Sequence, residues 1–270
     1  MNVYEEVRAF YDGFRGEKRV IGKSREGRDI FALFIGSAGG PVGISTYAMH
    51  AREWITAYLA MQHVRRGLVR GGVWVVPLVS PDGALLVQEG AVSVRTSLRG
   101  GLLYLNGGAD FSLWKANARA VDLNVNFDAG WGTGRQNLRS PAPANYIGSA
   151  PFSEPETQAL RDFTLEISPA FTVSWHTKGE VIYWRYRQNA LRAVRDKKYA
   201  KILSAATGYP LAEAPDSAGG YKDWCVEKLQ IPAFTVEAGR ETFSHPLGLS
   251  ALADIVTKNL DALGKLALAF

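Results

Sequence analysis

The chemistry most open to this chain starts from one imidazole and one carboxylate three residues apart. Residues 46–60 read TYAMHAREWITAYLA, with His50 and Glu53 set in an apolar stretch that reads as a strand running into a helix. A pair at this spacing can offer two ligands to a metal ion. The same residue types also decorate ordinary helix starts, so the pair needs partners from elsewhere in the chain. A catalytic zinc site takes three protein ligands and keeps one position open for water. VSWHTKG offers His176 as the third, 123 residues beyond Glu53, although a satisfied structural histidine fits that position equally well. His63 is expected on the outward part of a helix and His245 in a loop, both as structural or supporting groups.

The elements that must hold such groups are legible as apolar runs bounded by turn signals. Runs at 29–36, 43–49, 71–80, 170–175 and 231–238 have the length and the β-branched and aromatic content of buried strands. Helical patterns lie between them at 3–14, 52–68, 154–167, 190–206, 219–229 and 249–268. Alternating strands and helices predict a single α/β domain over residues 1–270, with a mixed, largely parallel sheet covered by helices on both faces. Sites in such sheets gather at the carboxyl ends of the strands. His50, His176 and Glu237 all stand at or just beyond the end of a run. Residues 81–150 are rich in Gly, Asn, Pro and Arg and are expected to be a long functional loop region with few helices.

Composition narrows the class. With 270 residues, 47% hydrophobic and 21% charged, the chain is that of an ordinary globular enzyme. It has no run of about 18 apolar residues, which argues against a membrane span. The acids Glu5 and Glu6 and the lack of a long apolar segment near the start argue against a secretory signal. The one cysteine, Cys225, excludes an internal disulfide and fits a reducing compartment, so a cytoplasmic location is expected. A thiol nucleophile is disfavoured, because DWCVEKL reads as a buried helix position. The net charge of +5 weakly favours anionic ligands. The densest basic run, at 185–203, reads as a solvated helix face without the interleaved aromatics of a nucleic-acid platform, so no nucleic-acid partner is expected.

MHAREWITAYLA, VDLNVNFDAGW, SEPETQAL, SWHTKGE, SAGGYKDW and FTVEAGR together resemble, in order, the motifs of the zinc carboxypeptidase family, and the likeness extends from residue 21 to the C-terminal helix. The resemblance implies an eight-stranded mixed sheet, one zinc ion per chain held by His50, Glu53 and His176, and Glu237 as general base and acid. The family's oxyanion-stabilising arginine follows a tryptophan, and LWKANAR puts Lys115 in that slot, with Arg119 a less well aligned second candidate. Lysine supplies charge without arginine's two-point fork.

Two departures bear on substrate. The family's Asn-Arg pair for a C-terminal carboxylate is here Asn124-Val125, and valine cannot hold a carboxylate; Asn124 is retained as a polar contact, while Asn126 and Asp128 shape the loop. Pro215 stands where many members present a tyrosine over the substrate. Tyr221 is counted among nearby contacts without that role. NVNFDAGWG, HTKGEVIYW and GGYKDW are closer to bacterial γ-D-glutamyl-meso-diaminopimelate peptidases, which cut peptidoglycan stem peptides. A muropeptide of that kind carries carboxylates and a zwitterionic end, and needs several basic groups and an acid around the pocket. Lys178, Glu180, Lys222 and Arg240 are the expected contacts, with Arg135 and Arg139 further candidates in the long loop and Arg52 a possible supporting group. The alternatives are a carboxypeptidase acting on ordinary peptides and a non-catalytic muropeptide binder. Four retained groups, His50, Glu53, His176 and Glu237, speak against the latter.

Overall fold

In the computed structural model, which describes residues 1–37, 39–68 and 70–270, the predicted runs become the middle of one eight-stranded sheet. Its strands are β1 (Lys18–Lys23), β2 (Asp29–Gly36), β3 (Val42–Tyr47), β4 (Gly72–Val76), β5 (Phe171–His176), β6 (Val181–Tyr183), β7 (Leu211–Ala212) and β8 (Ala233–Glu237). They lie in the order β1-β2-β4-β3-β5-β8-β6-β7. The inner strands β4, β3, β5 and β8 are parallel to their neighbours, whereas β2 and β6 join this block antiparallel. The parallel strands are buried on both faces, which is why they read as continuous apolar runs.

The period of two along each strand sorts side chains between two cores. Tyr47, Val173, Trp175, Phe234 and Val236 face the helices α2 (Ile55–Arg66), α6 (Ala190–Thr207), α8 (Leu252–Asn259) and α9 (Ala262–Ala267). Ile44, Trp74, Val76 and Ala233 face α5 (Pro155–Ile167) and α7 (Tyr221–Trp224). His176 and Glu237 alternate with Trp175 and Val236, so both belong to the second face. Helix α1 (Val3–Gly13) starts with Asn2 accepting a hydrogen bond from the Glu5 N–H and packs Val3, Tyr4 and Val7 inward. Among the described residues no helix is long and apolar enough to cross a membrane.

Three expectations need correction. The strand read at 43–49 ends at Tyr47, because Ala48 turns to φ 47° and gives its N–H to Thr56 Oγ1 at 2.7 Å. The region after residue 80 is not all loop: α3 (Pro81–Glu89) and α4 (Thr96–Asn106) occupy its start. Pro81 opens α3 at a position where no backbone donor is needed. Helix α4 contains Gly100 and Gly101 and buries only Leu102, so neither propensity nor an apolar stripe announces it. His63 is buried, not outward. Its Nδ1 lies 2.6 Å from the Tyr47 hydroxyl and its Nε2 3.0 Å from the Asn259 carbonyl. The carbonyl can only accept, so Nε2 carries the proton and Tyr47 donates to Nδ1.

Candidate active site

The turn after β3 brings His50 and Glu53 together. Residues Ala51–Glu53 form one 3₁₀ turn, closed by Glu53 N–H to His50 O at 3.1 Å. Thr56 Oγ1 fastens it by donating to Glu53 O and accepting from Ala48 N–H. Helix α3 presses on the turn through Gly83, where an added Cβ would lie 2.9 Å from Ala51 Cβ and 2.8 Å from Ala116 O. The third group arrives from β5. His176 Nδ1 lies 3.1 Å from His50 Nδ1 and 2.9 Å from Glu53 Oε2, and His50 Nδ1 lies 2.8 Å from Glu53 Oε1.

These donors suit zinc. Two imidazole nitrogens and a carboxylate, all buried, converge within 4.8 Å of one another, and tetrahedral zinc accepts N and O ligands at about 2.0–2.2 Å. Burial works against charge on Glu53, yet His50 and His176 beside it hold its carboxyl well below the usual carboxylate range, so it remains an anion.

A buried aspartate that the sequence reading passed over organises the next layer. Asp122 Oδ1 lies 3.4 Å from His50 Nε2 and its Oδ2 2.9 Å from Lys115 Nζ. It also accepts from the backbone N–H groups of Asn124 and Asn145. Burial resists its charge, but Lys115 and His50 keep it ionised far below its ordinary range. A carboxylate behind a ligating histidine fixes the ring's orientation and tautomer. Burial likewise opposes the charge of Lys115, and Asp122 more than offsets this, so the ammonium persists above its ordinary range.

Glu237 ends β8 opposite His176, which ends β5, and Ala238 N–H donates to His176 O at 2.8 Å. Directly paired residues point to the same side of a sheet. Desolvation raises the Glu237 carboxyl to about 7, with Glu53 pushing the same way and His176, Lys115 and Arg52 opposing. A carboxyl poised there can both take and return a proton near neutrality.

Glu237 lines a cavity of about 460 Å³ together with His50, Lys115, Asn124, Val125 and Lys222. Asn124 Oδ1 accepts from Tyr221 N–H, and Lys222 Nζ reaches Asp223 and the Arg185 carbonyl. Other expected contacts turn elsewhere. Tyr221 is fully buried, its hydroxyl 2.8 Å from Thr164 Oγ1, because its ring packs with Phe127 in the core between α5 and α7. Arg240 is drawn to Asp254 at 2.6 Å, Glu180 to Lys258, and Lys178 to Glu241. Arg119 points toward Glu154 at 3.8 Å and Arg139 toward the Gly132 carbonyl. Arg135, Asp216 and Tyr183 line the cavity instead. No local pattern marks Asp216 or Tyr183, whose loop and strand meet the site only in three dimensions. Cys225 is buried and desolvation pushes its thiol up to about 12, so it is not a nucleophile.

The zinc carboxypeptidase family pattern matches residues 13–259. The chain belongs to that family. It is a zinc-dependent metallopeptidase, a hydrolase. Gamma-D-glutamyl-L-diamino acid endopeptidase 1 of Lysinibacillus sphaericus is 32% identical over 280 residues, covering 96% of this chain and 69% of that protein. Murein-tripeptide amidase MpaA from Escherichia coli O157 is similar in structure, with TM-score 0.64 and 25% identity over 96% of this chain and 95% of that one. Bovine thrombin-activatable fibrinolysis inhibitor, in a complex with tick carboxypeptidase inhibitor, shares the fold at TM-score 0.79 and 20% identity, over 100% of this chain and 96% of that one. The eight-stranded mixed sheet that the resemblance implied is the sheet found here, and the two solved structures share its fold.

Proposed function

We propose that this metallopeptidase hydrolyses the γ-D-glutamyl–diamino acid bond of peptidoglycan stem peptides, the diamino acid being meso-diaminopimelate. The observation that carries the reading is Val125 on the cavity wall, at the position where the resemblance to the family's motifs expects a carboxylate-binding arginine. Charges of both signs line the same cavity, among them Arg135 and Asp216, which suits a leaving group that is itself zwitterionic. The endopeptidase and amidase relatives support the same substrate class.

His50, Glu53 and His176 would hold one zinc ion through the two Nδ1 atoms and the carboxylate. Zinc bound there supplies Lewis acidity, which lowers the pKa of water toward about 7 and polarises a carbonyl. Glu237 takes the proton of the attacking water and hands it to the departing amine. A general base and acid of this kind contributes roughly 10²–10⁴-fold. Lys115 places a fixed positive charge where the carbonyl oxygen becomes an oxyanion, and Asp122 holds both Lys115 and His50 in position. The buried surroundings of these groups limit water, which strengthens each interaction.

The test is hydrolysis by the zinc-loaded protein of L-Ala-γ-D-Glu-meso-diaminopimelate against an N-blocked L-dipeptide. Release of diaminopimelate from the first is expected. Release from the dipeptide alone would show an ordinary carboxypeptidase and overturn the reading.

A further inference from the structure

The cavity that ends at Glu237 carries, apart from His50, the charged side chains Lys115, Arg135, Asp216, Lys222, Asp223 and Glu237. Most are already committed. Lys115 is held by Asp122 at 2.9 Å. Lys222 is bound to Asp223 and to the Arg185 carbonyl, and Asp223 also accepts from the Gly220 N–H at 3.2 Å. Glu237 is the proposed base. Arg135 and Asp216 remain, joined by a single contact of 3.4 Å from Nη1 to Oδ2, with side chains 76% and 63% exposed.

Their loops are better fixed than their side chains. The Arg135 N–H donates to the Asp216 carbonyl at 3.0 Å, which ties the two loops together. The first loop is turned by Asn137 N–H to Gly134 O and by Gly134 N–H to Asn137 Oδ1. The second is turned by Ser217 N–H to Ala214 O at 3.1 Å, and is anchored where Gly219, at φ 86°, passes Val125. A Cβ at Gly219 would lie 2.7 Å from Val125 O. The backbone therefore places a guanidinium and a carboxylate side by side on the cavity wall, loosely paired through one edge of each. An exposed ion pair of this kind contributes little stability, so exchanging its partners costs little.

We propose that Arg135 and Asp216 are the specificity determinants for the free end of the diamino acid, Arg135 taking its carboxylate and Asp216 its ammonium. The proposal rests on the hydrolase reading above and names what sets its choice of diamino acid. A zwitterionic amino-acid head carries both charges on one carbon and can exchange with both partners of the pair together. Arginine grips a carboxylate with two parallel N–H donors, while the compact ammonium needs only one acceptor oxygen. A lysine side chain brings the ammonium alone and leaves Arg135 without a ligand partner. The pair thus separates diaminopimelate from lysine by one carboxylate.

The test combines Arg135→Ala and Asp216→Asn in the zinc-loaded protein with two substrates, L-Ala-γ-D-Glu-meso-diaminopimelate and L-Ala-γ-D-Glu-L-Lys. Arg135→Ala should raise KM about tenfold for the first and leave the second unchanged, while Asp216→Asn should raise KM for both. Both positions are exposed, so unchanged melting curves are expected. Equal losses on the two substrates in Arg135→Ala, or no loss, would overturn the proposal. Calorimetric binding of free meso-diaminopimelate and free lysine keeps the two readings separable. If neither substrate is cleaved but binding of meso-diaminopimelate depends on Arg135, the hydrolase reading falls and the role of the pair stands. If that binding is indifferent to Arg135, the pair has no such role.

Discussion

His176 and Glu237 stand opposite each other at the last positions of β5 and β8, paired residue for residue across two parallel strands. The pairing fixes both side chains on one face of the sheet, at the edge where the turn after β3 delivers His50 and Glu53. Replacing Glu237 by Gln preserves shape and removes the base. On the proposed chemistry kcat falls by roughly 10²–10⁴, while zinc content, read by elemental analysis, stays at one per chain. The protonated carboxyl cannot accept a proton, so activity in the wild type rises with pH as Glu237 ionises. Desolvation raises that ionisation to about 7, and a bound cation lowers it, so the acid limb of kcat/KM should fall between 4.5 and 7. An acid limb that survives in Glu237→Gln would assign it to another group.

Asp122 links the site's cation to one of its histidines, at 2.9 Å from Lys115 Nζ and 3.4 Å from His50 Nε2. Asp122→Asn keeps the size and loses the charge. Zinc affinity, measured by competition with a chelator, should drop about 10–100-fold, the usual cost of removing a carboxylate behind a ligating histidine. Lys115 loses its counter-charge in the same variant, so kcat should fall even at saturating zinc. Unchanged affinity together with unchanged kcat would remove Asp122 from the machinery.

Val125 lies on the cavity wall beside Asn124. Val125→Arg would introduce a two-point carboxylate grip at that wall. The expected outcome is measurable activity on an N-blocked dipeptide and a higher KM for the γ-D-glutamyl substrate, from the added bulk. No gain on the dipeptide would show that the missing cation is not what keeps ordinary peptides out.

Five of the eight strands, most helices and the His50–Glu53 pair were legible because each rests on a local signal, whereas β1, β6 and β7 were not read and His176 joined the pair only through the family resemblance. Apolar runs of strand length marked β2, β3, β4, β5 and β8, and the short spacing of His50 and Glu53 marked the turn that joins β3 to α2. Helix α4 left no such trace, since Gly100 and Gly101 weaken its propensity and its outer residues are exposed. Substrate contacts were the least legible. Charge alone could not tell Lys222, which lines the cavity, from Arg240, which Asp254 holds away from it. Asp122 sat inside a motif read for its neighbours, and only the fold reveals that Lys115 and His50 converge on it. His63 was read on the outward part of its helix; the hydrogen-bond partners that satisfy it in its buried place come from β3 and α8.

Two buried groups away from the site give the stability of the fold opposing pH slopes. Burial lowers His63 to about 4, below its ordinary 6.5, so the unfolded chain binds the extra proton first. Its contribution is present above 6.5 and is lost as pH falls toward 4, by about 2 kcal/mol between pH 7 and 5. Glu156 is the reverse case. Desolvation, helped by Asp82, raises it from 4.5 to about 8, so the folded state binds the extra proton. Its contribution is present below 4.5 and is lost as pH rises through 8, again by about 2 kcal/mol between pH 6 and 8. The two slopes largely cancel between pH 5 and 7 in the wild type, and above pH 7 only the loss from Glu156 remains. Denaturant titrations across pH 5–8 should therefore show a plateau followed by a decline. Glu156→Gln should expose a fall toward pH 5 and flatten the alkaline side, and His63→Gln should make stability decline steadily from pH 5 upward. If the pH profiles of the two variants are parallel to that of the wild type, neither group is the source of its shape.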